Sequence, residues 1–143
     1  MASGKSEYLE RALLDHVCGG PDYLRPGTVY VALSTALFDD ALTGSSIVEP
    51  VGGAYARVAV LNNATNWLVA ASPGAGVAAV KKNGTAITFP TPTAAWGTIK
   101  SVYVCDAASG GNVLFGGDLV LDKVIASGDA TAFVVGTLTW SED

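Results

Sequence analysis

The chain has 143 residues, half of them apolar and only 15% charged, with a formal net charge of −5. That length suits one domain, expected over 1–143, with enough chain to bury a real core. High apolar content with modest charge excludes disorder. The eight basic residues stand singly or as the pair Lys81–Lys82, so no basic stripe exists to engage nucleic acid. No run reaches the roughly 18 apolar residues of a membrane span, and the N-terminus lacks the apolar core of a signal peptide. A surface with so few charges is poorly defended against association, which suits a protein that lives in an assembly.

Taken in chain order, 6–17 reads as a helix: Leu9, Ala12, Leu13, His16 and Val17 recur at three- and four-residue spacing, with Glu7, Glu10, Arg11 and Asp15 opposite. Ser3 or Ser6 can cap its start, and Gly19-Gly20-Pro21 stops it. Past Pro26-Gly27 the chain turns β-rich, over 28–33. The connection 34–53 is long for a compact domain, and such loops are functional or serve as contact arms. A strand is expected over 55–61, with turns at 62–66 and 72–76. Asn83-Gly84, set between β-formers in 77–89, predicts a two-residue hairpin with a type I′ turn. Phe89-Pro90-Thr91-Pro92-Thr93 is a stiff extended connector. Strands at 99–105 and 113–121 flank the turn-forming loop Asp106–Asn112. A last strand pair falls near 124–126 and 131–140, around the Ser127-Gly128-Asp129 turn. About eight short strands and one helix, without βαβ alternation, predict a mainly β fold. The architecture expected is an antiparallel β-sandwich, jelly-roll-like, or a barrel over 28–140, with the short helix 6–17 preceding it.

Reactive groups are sparse. His16, the single histidine, lies near the C-terminal end of the helix, where the dipole favours its charge, and no nucleophile neighbours it in sequence. Asp39-Asp40, Asp106, Asp118, Asp122 and Asp129 border turns, where a carboxylate bonds nearby backbone amides. Glycoside hydrolysis needs two carboxylates at a fixed separation across a cleft, and Asp106–Asn112 lacks the alternating oxygens of a calcium loop. Cys18 and Cys105, far apart and without a C-x-x-C, fit no common zinc pattern. They read as two reduced thiols, with a disulfide left open. The glycine pairs at 19–20, 52–53, 110–111 and 116–117 form no phosphate-binding motif. Trp67, Trp96 and Trp140 are either core residues or anchors for a sugar or a partner. No catalytic residue, metal ligand or cofactor-binding residue is assigned, and no cofactor is expected.

The order of motifs carries a resemblance. Val29–Ala36 (V-Y-V-A-L-S-T-A) is followed by Gly52–Val60 (G-G-A-Y-A-R-V-A-V) and Ile87–Ile99 (I-T-F-P-T-P-T-A-A-W-G-T-I). Asp106–Leu119 (D-A-A-S-G-G-N-V-L-F-G-G-D-L) and Ser127–Asp129 come after. This set, from about residue 6 to 139, resembles a family of small tailed-bacteriophage virion structural proteins, often labelled tail fibre proteins; Leu61–Lys82 fits the pattern least. The resemblance implies a non-enzymatic protein of the virion, assembled in the host bacterial cytoplasm. The small size, β build and neutral surface further resemble capsid decoration (cement) proteins. That leading expectation makes the major capsid protein, other virion proteins and further copies of the chain its partners, as a homo-oligomer, with no nucleic acid and no membrane. The competing expectations are a tail, neck or tail-fibre component, acting as adaptor or host-binding domain, and an enzyme such as a polysaccharide hydrolase. The helix and the 34–53 connection are the candidate contact arms.

Overall fold

A computed structural model describes residues 3–72 and 74–142. The turn expected at 72–76 includes Pro73, which lies outside the described residues. The elements in chain order are β1 (Ser3–Lys5), α1 (Glu7–Val17), β2 (Thr28–Ser34), β3 (Val58–Leu61), β4 (Ala79–Lys82) and β5 (Ile87–Thr88). They continue with β6 (Gly97–Cys105), β7 (Val113–Ile125), β8 (Ala132–Phe133) and β9 (Thr139–Glu142). The fold is mainly β, as the strand-rich pattern predicts. All pairings are antiparallel.

The principal sheet has the order β1-β7-β6-β2-β3, and the pairs β4-β9 and β5-β8 form two small separate ladders. Because the large sheet ends at β1 and β3, the barrel alternative is not realised among the described residues. Strand residues sort by alternation onto its two faces. Val29, Val31, Leu33, Val102, Val104 and Leu114 join one core cluster with Leu9, Trp67, Phe89, Trp96 and Leu138. Ala32, Tyr103, Cys105 and Val113 join a second cluster with Ile47, against which Phe38 and Leu42 pack. The sheet is therefore covered on both sides. Its second cover is the 34–53 connection, which is folded back rather than extended.

Helix α1 starts where the sequence places it. Ser6 is its N-cap, and its hydroxyl accepts the Leu9 N–H at 3.2 Å. The same hydroxyl donates to the Val113 carbonyl, and the Ser6 N–H bonds Leu114 O at 2.9 Å. One buried serine thus caps the helix and stitches it to β7, which keeps an 11-residue helix, marginal by itself, in place. At the far end Cys18 N–H bonds Leu14 O, and Gly19 takes a φ of 89°, the left-handed region that ends helices.

The hairpin expected at Asn83-Gly84 does not form. A type I′ turn requires positive φ at both central residues, and neither residue has one. Instead β4 pairs with β9 and β5 with β8. Asn83 is wholly buried. Its amide donates to Thr85 O (2.9 Å) and Val134 O (3.0 Å), and its carbonyl accepts the Leu138 N–H (3.0 Å). A side chain thereby ties β4, β8 and β9 where a turn was expected. Asn83→Ala is expected to lower stability by about 2–3 kcal/mol, because a buried N–H and two carbonyls lose their partners. A urea midpoint indistinguishable from the parent protein's would show that water replaces all three bonds.

Hairpin β6–β7 is longer than the sequence indicates, and it is interrupted. Ile99 faces Lys123 and Ser101 faces Asp118, so Leu119–Asp122 stand opposite Lys100 alone. This excess of residues on one strand pushes β7 outward as a wide bulge. Val120 and Leu121 on it are 80% and 81% exposed. Among the described residues no helix is long and apolar enough to cross a membrane.

Candidate functional site

The most highly organised polar cluster lies where the 34–53 connection meets the Asp106–Asn112 loop. Arg57 stands just before β3, and its side chain is 2% exposed. Its Nε lies 3.1 and 3.2 Å from the two oxygens of Glu49, and one terminal nitrogen lies 2.7 Å from Oε2. The remaining donors reach three backbone carbonyls: Ala107 O and Gly110 O at 2.9 Å, and Gly44 O at 2.7 Å. A planar fork of donors suits this bidentate task. Burial opposes the guanidinium charge, but the hydrogen bonds and charge of Glu49 outweigh it and leave the pKa above its ordinary value.

Glycine makes the approach possible. A Cβ on Gly44 would sit 1.9 Å from the Gly110 carbonyl oxygen, so the two loops touch backbone to backbone. Tyr55 completes the cluster: its hydroxyl donates to Glu49 at 2.7 Å and accepts the Leu33 N–H at 2.9 Å. Burial, with the Glu49 hydrogen bond next, pushes the phenol far above its ordinary pKa. Cys105 lies beside this cluster, and burial lifts its thiol from 9.0 to about 11. The thiolate is the nucleophile, so Cys105 is inert at neutral pH.

Both cysteines are free thiols, Cys18 exposed and Cys105 buried, so the disulfide left open by the sequence does not form. A thiol reagent at pH 8 is expected to label one site on the native protein, Cys18, and two after denaturation. Two fast sites on the native protein would contradict the burial of Cys105. The raised folded-state values also set an alkaline limit. A group whose pKa is raised on folding keeps its contribution below the unfolded value and loses it as pH climbs through the folded one. For Cys105 that loss begins near pH 9 and extends toward about 11, and Tyr55 acts in the same direction. Urea midpoints measured between pH 8 and 11 are expected to fall steadily.

Asp39, Asp106 and Asp129 take the turn roles read from the sequence, whereas Asp118 and Asp122 lie within β7. Asp106 accepts Asn112 N–H at 2.7 Å and the Asn112 side-chain amide at 2.8 Å, which closes its own loop. Asp129 accepts Ala126 N–H at 2.8 Å, and Asp39 accepts Ala41 N–H at 3.0 Å. Asp118 does more: it accepts Phe38 N–H at 2.7 Å and holds the back cover of the sheet to β7. His16 Nδ1 accepts Tyr23 N–H at 3.2 Å and lies 3.3 Å from Asp22; it positions the loop after α1. Among the described residues no three His, Cys, Asp or Glu side chains gather as a metal-holding group.

The tryptophans are placed as packing residues. Trp96 is buried, donates from its indole to Gly53 O at 2.8 Å and meets Tyr55 edge-on at 5.2 Å. Trp67 is buried too. Trp140 meets Phe115 edge-on at 4.5 Å. The indole N–H groups of Trp67 and Trp140 are buried without an acceptor.

Sequence reasoning missed two features. Arg57 reads as an ordinary outward-facing residue of a strand, and its only signal is a lone arginine amid small residues and glycines. The second is a cavity of about 740 Å³ with mainly apolar walls. It opens among Leu9 and Leu13 of α1, Val29, Val102 and Leu114 of the large sheet, and Trp140 of β9.

The family model described as Gp80, Podophage GP4 fiber I protein gp80, matches residues 4–141. The chain belongs to that family. It is a phage virion structural protein, as the motif order implied. The match to the podophage fibre family spans β1 to β9 and includes Leu61–Lys82, the stretch where the motif resemblance was weakest. No curated protein matches the chain.

Proposed function

We propose that the chain is a non-enzymatic component of the phage tail fibre, an adaptor or host-binding domain. The observation that carries this is the match of a fibre-protein family to nearly its whole length. That match supports the tail-fibre alternative at least as well as capsid decoration, which rests on small size, β build and a neutral surface. Non-enzymatic action is supported by the fate of the buried polar groups: Arg57, Glu49, Tyr55 and Asn83 are all engaged in joining loops and strands. The contact surface we assign is the β7 bulge with Val120 and Leu121, because exposed apolar side chains beside one another mark protein contacts. Its partners would be other fibre or tail proteins and further copies of this chain.

Cryo-electron microscopy of virions carrying a tagged copy tests the placement. Density or label confined to the tail, in a few copies, is expected. Hundreds of copies spread over the head lattice would replace this reading with decoration. Val120→Asp with Leu121→Asp should leave the isolated protein folded and prevent its incorporation into particles.

A further inference from the structure

A cleft of about 740 Å³, open to solvent on one side, lies within the size range of small-molecule sites. Its wall is mainly apolar and includes Leu9, Leu13, Val29 and Leu114. Arg25 and Lys81 also line it, and among the described residues neither has an ion-pair partner. The other charged groups on its wall are occupied: Lys5 bonds Glu142, and Asp118 accepts the Phe38 amide. The indole N–H groups of Trp67 and Trp140 are covered by their neighbours, so these donors are not offered to a ligand. A sugar, which needs many polar partners, is poorly matched. A molecule with a long apolar body and one negative end is well matched.

We propose that this cavity binds a single-chain amphiphile with an anionic head, of the fatty-acid type. The chain lies along the leucine and valine wall, and the head meets Arg25 and Lys81. This holds whether the protein sits on the tail or the head of the particle, because it depends on the cavity alone. Binding is non-covalent, and one acyl chain of an anionic bilayer lipid, with its head group, would present the same chemistry as the free amphiphile.

Isothermal titration with octanoate, decanoate and dodecanoate, each below its micelle concentration, tests it. Burial of each methylene should tighten binding about fourfold, hence about fifteenfold per two carbons. Replacing Arg25 and Lys81 together by alanine should weaken dodecanoate at least tenfold and leave dodecanol nearly unchanged. Ala70 lines the cavity and is exposed, so Ala70→Trp should obstruct entry while the melting temperature stays near the parent's. Leu13→Trp fills the cavity from α1 as a second block. No dodecanoate binding at about 1 mM, equal affinity across the three chain lengths, or undiminished binding by both blocked variants would overturn the proposal. Co-sedimentation with phosphatidylglycerol vesicles separates the two sources. Pelleting abolished by Ala70→Trp assigns a bilayer lipid, and binding of dodecanoate without pelleting assigns a free amphiphile.

Discussion

Arg57→Ala is expected to destabilise the protein by about 3–5 kcal/mol, the range for removing one member of a buried ion pair. For a domain of this size that lowers the melting temperature by about 10–15 °C. The loss has two parts. Glu49 is left in a partly buried site with the Tyr55 hydroxyl as its remaining side-chain partner. Three backbone carbonyls, on Gly44, Ala107 and Gly110, lose the donor that held them. The effect should be concentrated in two places far apart in sequence: amide exchange should quicken in 34–53 and in 106–112 together. Arg57→Lys keeps a charge but offers no planar fork, so it should recover only a minor part of the loss. A fall under about 1 kcal/mol, or faster exchange in one loop only, would show that the two loops are held by something other than this side chain.

Trp96→Ala should be as damaging, at about 3–5 kcal/mol, the usual range for emptying a large aromatic site. Trp96 lies 3% exposed, between Tyr55 and Phe89, with ring centroids 5.2 and 6.4 Å away. Its removal opens a void and leaves Gly53 O without the indole donor. Trp96→Phe separates these contributions: it retains most of the apolar volume and deletes the N–H, so it should recover more than half of the lost stability. Denaturation in urea measures both variants. An unchanged midpoint for Trp96→Ala would mark the ring as a surface anchor for a partner, the other reading open to it from sequence.

Why some of this was legible and some was not has physical causes. Helix α1 and the β6–β7 hairpin depend on neighbours in sequence, such as Leu9 with Leu13, or the turn formers between Cys105 and Val113. Local pattern therefore placed them within a few residues. Tyr55–Arg57 had the alternation of a strand, but the left-handed run Gly52, Gly53 and Ala54, at φ 75°, 58° and 62°, turns the chain so that pairing begins only at Val58. The unbroken apolar stretches at 29–33 and 102–105 carried a further message. A strand buried on one face alternates, and a strand buried on both does not. Those runs implied a second cover for the sheet, and the connection 34–53, expected as a contact arm, supplies it. The hairpin at Asn83 failed because tertiary hydrogen bonds from Val134 and Leu138 outweighed a favourable local turn. The cavity could not be read at all, since Leu9, Leu114 and Trp140 meet only after folding.

The seating of β1 has a consequence for how the chain is made. Ser3–Lys5 pair with Phe115–Gly117, Ser6 bonds Val113 and Leu114, and Lys5 reaches Glu142. β1 therefore leaves the ribosome long before its partner and waits while more than a hundred residues are translated at about 5–20 per second. Within that interval β2 gains β3 first, and β6, its other neighbour in the sheet, follows only at 97–105. A nascent chain of this kind presents apolar β-forming sequence to its surroundings for most of its synthesis, which makes chaperone protection, rather than rapid sequential folding, the natural route to the finished particle component.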